Sequence, residues 1–448
     1  MKALKSSLRE IARYPSAIAG SIVILLLVAL AIFAMIKIPY SEAIRLWRGG
    51  EEIWYQNPKN APPAWMNLFT AKKQPVSFAV KTGGDDGMTK TVTYGAQDTS
   101  SIEISYTFDF NYDVLPQDLM LYFTTKFTAK QPFVSVYLIT PDERKLRITD
   151  MGVGEKYTYR FSQDEKLLKR LKSKDVISGL FMAPDANPPA PLKGKYTLLI
   201  QAVTFEKDSD VNAEFVFHGT LFGIAGTDIY RRDLVIPLLW GAPIALAFGL
   251  FAAFGTSILT MIIAAIGAWY GGWLDELIQR ITEINLVLPF LAILIMVGTF
   301  YSRSIWVILG VTVALSIFTS SIKTYRAIFL QVKESTYIEA ARTYGAGSSR
   351  IIFKYLIPRI IPLLLPGLVS SVPSFVFLEA SLAVLGLGDP VLPTWGKTID
   401  EAWASGALYK GYYYWILEPA VLLMITGLGF AMLGFALDRI FNPKLRGL

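Results

Sequence analysis

Six long stretches of this sequence contain no Asp, Glu, Lys or Arg. A bilayer core of about 30 Å needs roughly 20 apolar helical residues, and a charge at its centre is unfavourable by several kcal/mol. Only 18% of all residues are charged, whereas soluble chains average about 25%. The pattern predicts an α-helical integral membrane protein with six transmembrane helices, within residues 14–36, 234–274, 284–302, 304–322, 360–378 and 419–437.

The first apolar stretch follows Lys2, Lys5, Arg9 and Arg13, as the apolar core of a secretory signal peptide would. Its apolar run exceeds the usual length of about 7–15 residues for such a core. No small-residue cleavage site follows it, since the chain continues Ile36-Lys37-Ile38-Pro39. We therefore expect a retained membrane anchor.

Three segments rich in Lys and Arg indicate the orientation: the amino end, residues 323–359 and the carboxyl end. Six spans place all three on one side, which the positive-inside bias identifies as the cytoplasm. The short loop with Asp275, Glu276 and Arg280 is slightly acidic and gives no support to this orientation. We predict a multi-pass protein of a prokaryotic cell membrane, with both termini cytoplasmic and residues 39–233 extracytoplasmic.

Between the first two spans the hydrophobic period changes to that of strands. Apolar and polar residues alternate strictly at Ile102, Ile104, Tyr106, Phe108, Phe110 and Tyr112. Such alternation is typical of a half-buried strand, and strand aromatics are more often core than sugar-binding. We predict an inserted β-sandwich-like domain over residues 72–215, with His218 at the surface or the domain edge.

The predicted organisation has five parts along the chain. A cytoplasmic amino terminus and the first helix (1–38) precede an outer linker (39–71) and the β-rich domain (72–215). An outer lead-in with an interfacial helix around Pro237 and Pro243 follows (216–243). A five-helix membrane core occupies 244–448 and contains a cytoplasmic loop over 333–358.

This chain contains few of the residue types that enzymes commonly use for catalysis. The sequence has no cysteine and one histidine, which excludes thiolate nucleophiles and cysteine-based metal sites. The net charge of +7 is concentrated beside the membrane, so we expect no nucleic-acid binding. The segment Trp395-Gly396-Lys397-Thr398 resembles the end of a P-loop, but Val391 replaces the first required glycine. We predict no catalytic, cofactor-binding or metal-binding residues.

The cytoplasmic loop contains a short, well-delimited helix. Thr336 is a candidate N-cap, with Glu339 at the capping-box position three residues later. Gly345 is able to end the helix in a left-handed conformation. The helical period places Tyr337, Ala341 and Tyr344 on one face, with Ala340 beside them, which predicts a surface for docking in a groove of another protein. The alternative is that Glu339 is only a cap and the alanines are only helix formers.

The sequence Glu339-Ala340-Ala341, with Gly345 four residues later and Ile357-Pro358 beyond, resembles the EAA loop of ABC importer permeases. Further motifs are similar to the second ("C") permease subunit of the dipeptide/oligopeptide/nickel subfamily. They are Gly226-Thr227-Asp228, Arg232-Asp233, Tyr270 to Asp275, Leu378 to Leu382, Leu385 to Gly388, Pro393 to Gly396 and Asn442 to Arg446.

The resemblance implies a non-catalytic permease subunit that forms half of a translocation pathway for peptides, with oligosaccharides or nickel complexes as alternative substrates. It implies a second permease subunit, two ATPase subunits that bind ATP and Mg, and an extracytoplasmic binding protein. In that family the loop is the coupling helix that enters a cleft on the ATPase. The residues that match it are Tyr337, Glu339, Ala340, Ala341, Tyr344, Gly345 and Pro358.

Glu379 is an acidic residue in an otherwise apolar stretch and a candidate for lining the pathway. Two features depart from the family pattern. Arg231 stands where the family commonly has glycine, and the β-rich domain divides a loop that is ordinarily short, between Pro62 to Trp65 and the stretch from His218.

Two alternatives from other classes share part of this layout. A membrane receptor also has an anchor followed by a large outer domain, but it requires a cytoplasmic signalling domain. A mechanotransmission protein typically has three further spans after its outer domain, whereas five follow here. Neither alternative accounts for the Glu-Ala-Ala loop.

Overall fold

The computed structural model describes residues 14–85, 87–95, 98–184 and 188–441. The basic residues from Lys2 to Arg13 and the motif Asn442 to Arg446 lie outside the described residues. The chain divides into two units. We call residues 1–48 with 236–448 the helical unit, and residues 49–235 the β unit.

Nine strands form two antiparallel sheets in the described part of the β unit. One sheet has four strands in the order β1-β9-β4-β7, and the other has five in the order β2-β3-β8-β5-β6. The strands are β1 Phe78–Lys81, β2 Thr89–Tyr94, β3 Ser100–Phe110, β4 Asp118–Lys126, β5 Phe133–Ile139, β6 Lys145–Gly152, β7 Lys156–Arg160, β8 Gly194–Thr204 and β9 Asp210–His218.

Both sheets contribute to a single aromatic core. The predicted alternation in β3 is confirmed at Ile102, Ile104, Phe108 and Phe110, which are buried. Phe108 of the five-stranded sheet lies 5.8 Å from Phe215 of the four-stranded sheet, ring centroid to centroid. The core therefore consists of the inward residues of period-2 strands from two sheets.

Short helices complete the β unit. Glu51–Trp54 (α3) and a 3₁₀ turn at Ala64–Leu68 precede the strands. Glu165–Leu171 (α4) and Val176–Phe181 (α5) lie between β7 and β8, and each begins at an aspartate that accepts backbone N–H groups. Asp164 and Asp175 are these N-caps, so the sequence specifies both starts locally.

The prediction for His218 is wrong. It ends β9 and is buried, and its Nε2 lies 3.0 Å from the carbonyl oxygen of Tyr55. Burial, together with the nearby Arg231 guanidinium, lowers the pKa of His218 to about 4. The error arose because a position at the end of a strand is buried whenever a distant segment, here residues 51–57, covers it.

The helical unit contains two helices near the amino end and nine after the β unit, among the described residues. They are α1 Pro15–Lys37, α2 Tyr40–Arg48, α6 Val235–Tyr270, α7 Gly272–Val287, α8 Phe290–Phe300, α9 Ile305–Ile317, α10 Ser320–Lys333, α11 Thr336–Thr343, α12 Ser348–Leu387, α13 Trp395–Ala404 and α14 Tyr414–Phe441. Within α12, residues Ile352–Leu356 and Ala383–Leu387 are π-helical.

Four of these helices are long and apolar enough to cross a membrane: α1, α6, α12 and α14. Two bent pairs pass the same test only together. Helices α7 and α8 meet at 79°, and α9 and α10 meet at 48°. The described residues thus hold four candidate spans, or up to six if each bent pair is one span.

The predicted interfacial lead-in at 216–243 is not a separate helix. Residues from Val235 onward belong to α6, which runs unbroken for 36 residues with Pro243 inside it. Pro237 lies in the first turn of α6. The N–H groups of a first turn have no carbonyl partner within the helix, so a proline there removes no helical hydrogen bond. Pro243 lies further inside the helix, where a proline can produce a bend without ending the helix.

Close backbone packing connects the helices of this unit. A Cβ added at Gly20 of α1 would lie 2.7 Å from the carbonyl oxygen of Gly429 in α14. A Cβ at Gly249 of α6 would lie 2.6 Å from Val376 of α12. Small residues at helix crossings are the usual means by which membrane helices approach closely.

Candidate functional site

The predicted docking helix is present as α11, Thr336–Thr343. One detail of the prediction is wrong: Ser335, not Thr336, occupies the N-cap, and no side chain caps the helix. The Ser335 hydroxyl instead donates to the Val332 carbonyl, 2.5 Å away, at the end of α10. The Ser335 side chain therefore bonds to the end of α10 and does not cap α11.

The helix ends in a Schellman motif, as the glycine predicted. Gly345 has φ +78°, and its N–H donates to the Arg342 carbonyl at 2.9 Å. The next N–H, of Ala346, donates to the Ala341 carbonyl at 3.0 Å. These two bonds satisfy carbonyls that the helix end leaves unpaired. Since only glycine adopts this φ without strain, the position of Gly345 decides where the helix stops.

One face of α11 is exposed and the other is buried. Tyr337, Glu339, Ala340, Tyr344 and Gly345 are exposed, and Tyr344 retains 91% of its accessible surface. Among the described residues, the Glu339 carboxylate has no hydrogen-bond or ion-pair partner. A side chain of this kind contributes little to the fold of its own chain, so these five residues are available to another protein.

Ala341 does not share the exposed face. The structure buries it with Ile338, one turn below, on the side that faces the rest of the helical unit. Positions 337, 340 and 344 form the exposed row instead, at the i, i+3, i+7 spacing of one helix face. The prediction that Ala341 lies on the docking face beside Tyr337 and Tyr344 is therefore wrong, because alanine suits either side of a helix and only packing decides which one is buried.

The buried side of α11 connects it to two of the long helices. Ile338 packs in one cluster with Phe329 of α10, Met261 and Ala265 of α6, and Leu356 of α12. Side chains in such a cluster are close-packed, so displacing α11 displaces its neighbours. The exposed face is therefore mechanically coupled to the apolar helices.

A second connection, which the sequence did not indicate, ties the last residues of α10 and of α11 to the carboxyl end of α6. The Lys333 ammonium donates to the carbonyls of Ala268 and Trp269, at 3.0 and 2.9 Å. The Arg342 guanidinium lies 4.4 Å from the centroid of the Trp269 ring. Cations near helix carboxyl ends and over aromatic rings are stabilising. The only local signal was a tryptophan followed by Tyr270 and Gly271, which also suits a membrane interface.

An ion pair joins the two bent pairs of helices. Arg326 of α10 donates to both carboxylate oxygens of Asp275 in α7, with Nε–O distances of 2.7 and 2.9 Å. Bidentate pairing of this kind fixes geometry as well as charge. Asp275 is the last residue of the motif that begins at Tyr270, so this motif residue has a structural partner inside the chain.

Pro358 lies outside α11. It occupies the start of the α-helical part of α12, directly after the π-helical turn Ile352–Leu356. A proline removes one helical hydrogen bond, and a π turn accommodates the carbonyl that loses it. The structure thus separates Pro358 from the exposed row on α11.

Glu379 is 6% exposed and is enclosed by the chain's own helices. It borders a cavity of about 10 Å³, roughly the space of one water molecule, together with Phe248, Ile305 and Asp389. Lining of a transport pathway stays a prediction.

The motif Gly226-Thr227-Asp228 builds the junction where the β unit begins and ends. Thr227 Oγ donates to the Pro58 carbonyl and accepts from the N–H of Ala61, and the Asp228 carboxylate pairs with Arg232 at 2.5 Å with both side chains buried. The backbones of residues 60–64 and 222–228 are hydrogen-bonded to each other. The two halves of the divided loop are therefore adjacent.

Arg231 keeps the left-handed conformation that a glycine would favour, with φ +67°. Its guanidinium donates to the Asn57 carbonyl at 2.5 Å and approaches Glu51 at 3.8 Å. Non-glycine residues in this region are strained by about 1–2 kcal/mol. The side-chain contacts offset that strain and hold residues 51–57 against Arg231.

Residues 257–447 match the model of a protein family described as "Binding-protein-dependent transport system inner membrane component". The matched region lies entirely within the helical unit and includes α11.

Three curated relatives are similar to this chain. OppC, the oligopeptide transport system permease protein of Bacillus subtilis (strain 168), is 31% identical, and the match covers 49% of this chain and 72% of OppC. DppC, the dipeptide transport system permease protein of the same organism, is 28% identical over 49% and 68% of the two chains. GsiD, the glutathione transport system permease protein of Escherichia coli O157:H7, is 30% identical over 50% and 72%.

Proposed function

The chain belongs to the binding-protein-dependent transport system inner membrane components, and on this premise we propose that it is the permease subunit of an ATP-driven peptide importer. The observation that carries the proposal is the design of α11. Its exposed row ends at Gly345, while its buried side packs on α6 and α12. A helix built in this way receives force from another protein and passes it to the apolar helices.

The proposed mechanism uses two attachments. Closure of the partner ATPases on ATP would push α11 through Tyr337, Ala340 and Tyr344, with Glu339 and Gly345 beside them. Ile338 would transmit the movement to α6 and α12, and Lys333 and Arg342 would pull the carboxyl end of α6 through Trp269. The ATP and Mg belong to the partner subunits, and this chain performs no catalysis.

The topology follows from the same premise. Each bent pair would be one span, which gives six, with α11 and both termini in the cytoplasm of a prokaryotic cell. Residues 39–233 would lie outside, with the two sheets packed as a sandwich around their shared core. A second permease subunit, two ATPases and an outer binding protein would complete the transporter.

Peptides are the proposed substrate because the relatives are named for oligopeptide, dipeptide and glutathione transport. Receptor and mechanotransmission functions are not favoured, since the family match covers residues 257–447, which include the exposed helix. Pathway lining by Glu379 would occur only in a conformation in which α6, α9 and α12 separate.

Cysteine cross-linking tests the placement of α11 without background, because the natural chain has no cysteine. We expect Tyr344→Cys to cross-link to an ATPase subunit in membranes that contain the assembled transporter. Tyr409→Cys is the matched control: it is equally exposed, at 88%, but would lie outside and react with a membrane-impermeant maleimide. Labelling of position 344 from outside, or no cross-link to any ATPase, would refute the proposal.

Paired serine substitutions test the helix end. Gly345→Ser forces a side chain into φ +78°, with about 1–2 kcal/mol of strain, and should reduce peptide uptake and ATPase co-purification. Gly347→Ser introduces the same residue at an N-cap with φ −66°, where serine is favoured, and should leave both unchanged. Equal uptake in the two variants would count against the docking role.

A further inference from the structure

A groove of about 520 Å³ lies in the β unit, between strands β6 and β7 and the turn that leads into α4. Its volume is within the range of about 300–1,000 Å³ typical of small-molecule sites.

Four consecutive residues of β7, 157–160, line this groove. Successive side chains of a strand point to opposite faces of its sheet. A groove that is bordered by every residue in turn therefore runs along the edge of the strand rather than over one face. β7 is the last strand of its sheet, so this edge carries no neighbouring strand in the described part of the chain.

The register shows which backbone groups point into the groove. The N–H of Thr125 donates to the Glu155 carbonyl, and Tyr157 and Tyr159 of β7 lie opposite Phe123 and Leu121 of β4. In an antiparallel ladder hydrogen-bonded pairs alternate with non-bonded ones. Positions 155, 157 and 159 therefore bond to β4.

The alternate residues, Lys156, Thr158 and Arg160, present their N–H and C=O groups to the free edge. The structure records no backbone partner for the three N–H groups or for the Lys156 and Thr158 carbonyls among the described residues, while the Arg160 carbonyl lies at the start of the 3₁₀ turn Phe161–Gln163. On the opposite wall the situation differs, because Arg170 donates to the Ile148 carbonyl of β6 at 2.5 Å. The groove thus borders the open hydrogen-bonding edge of β7.

The lining chemistry suits a peptide better than an apolar ligand. Thr149 and Thr158 contribute hydroxyls, and Arg160, Glu165 and Lys166 contribute charges of both signs. Mixed charges favour neither an anion nor a cation alone, but they suit a chain with a free amino and a free carboxyl end. Asp164 is already engaged, accepting from Tyr159 Oη at 2.6 Å and from two backbone N–H groups.

The strand also limits the length of its partner. β7 has five residues and basic side chains at both ends, Lys156 and Arg160. Short edge strands with charged residues resist pairing with another sheet. A single short extended peptide meets no such obstacle, and strand addition to an exposed edge is a common mode of peptide recognition.

We propose that this groove binds a short extended peptide with free ends, which pairs with β7 through Lys156, Thr158 and Arg160. The proposal goes beyond the transport function and does not depend on it, since it concerns only the β unit. It assigns a ligand class to the inserted domain.

Titration calorimetry on the full chain in lipid nanodiscs tests the proposal, with the peptide Thr-Val-Thr-Val-Thr as the probe. Thr158→Pro removes an edge-facing N–H without breaking the β4 ladder, because proline is tolerated at the free edge of a sheet. We expect about tenfold weaker binding, as the loss of one hydrogen bond and the obstruction by the ring predict.

Val92→Pro is the matched control on another edge. The Gly95 N–H donates to the Thr99 carbonyl, so the same alternation turns the Val92 N–H outward on β2, an edge strand of the other sheet. Binding by Val92→Pro should be unchanged. Equal weakening by both prolines, or none by Thr158→Pro, would overturn the proposal.

A probe with methylated backbone nitrogens at its three central residues covers the case in which Thr158→Pro disturbs the strand itself. This peptide keeps every side chain but loses the donors required for pairing with β7. It should show no binding to the natural chain, and undiminished binding would equally overturn the proposal.

Discussion

The two units of this protein differ in how they pack and in what they expose. The β unit has a core of aromatic side chains contributed by both sheets, including Phe215 at 0% exposure. The helical unit exposes large apolar side chains, including Phe435 at 70%, and buries alanines and glycines where helices cross. The difference identifies the solvent of each unit: water drives large apolar groups inward, whereas lipid does not.

A different kind of interaction therefore stabilises each unit. Burial of aromatic side chains from water stabilises the β unit, because the hydrophobic effect scales with apolar area. The helical unit gains nothing from moving a leucine out of lipid and depends on close contact between backbones. Substitutions of the same type should have different effects in the two units.

The largest expected effect tests this directly with one substitution in two places. Phe215→Ala leaves a cavity in the aromatic core and should destabilise the β unit by about 3–5 kcal/mol. Phe435→Ala should change the helical unit by no more than about 0.5 kcal/mol, because its ring lies on the surface. Hydrogen exchange measured by mass spectrometry follows each unit separately in the full chain. Comparable losses of hydrogen-exchange protection in the two variants would contradict the proposed difference between the units.

The next effect is a pH dependence confined to the β unit. The folded pKa of His218, about 4, is below the ordinary value of 6.5, so the unfolded chain binds a proton first as the pH falls. Stability from this group is complete above pH 6.5 and declines toward pH 4, by about 3 kcal/mol in all.

His218→Gln should make that decline less steep, because glutamine does not titrate. The carboxylates that titrate in the same pH range are present in both proteins, so their contribution cancels in the comparison. Hydrogen exchange in the β unit at pH 6.5 and pH 5 is the measurement. A decline that is equally steep in the variant would show that burial of the imidazole does not govern it.

A smaller effect tests backbone contact in the helical unit. Gly20→Ala adds one methyl group 2.7 Å from the Gly429 carbonyl and 2.8 Å from the Leu433 nitrogen. We expect a loss of about 1–3 kcal/mol, since backbone atoms give way poorly. Gly310→Ala, which meets nothing within 4 Å, should be neutral or stabilising by up to about 1 kcal/mol. Retention of folded protein on heating in nanodiscs distinguishes the two variants.

The smallest expected effect is that of removing the β strands. Residues 60–64 and 222–228 are hydrogen-bonded to each other, so a Gly-Gly link that replaces residues 68–219 closes a short gap. Co-purification of the ATPase subunits should be unchanged, because α11 packs entirely on the helical unit. Loss of the ATPases in this variant would mean that the two units are not energetically independent.

Local patterns in the sequence were sufficient for much of the fold. The period-2 alternation at Ile102 to Phe110 identified β3, because strand side chains alternate whatever lies opposite. Gly345 identified the end of α11, because its left-handed φ is a property of that single residue. Failures occurred where a distant partner decides. The Ser335 hydroxyl bonds to Val332, and residues 51–57 bury His218.

The sequence by itself therefore determined which segments suit lipid, which form strands and where the exposed helix ends, since each depends on neighbouring residues. Only the tertiary structure decided that Ala341 faces inward, that Lys333 and Arg342 join α6 through Trp269, and that β7 keeps a free edge. These features arise between residues far apart along the chain. Their geometry follows from packing and register, which no local pattern contains.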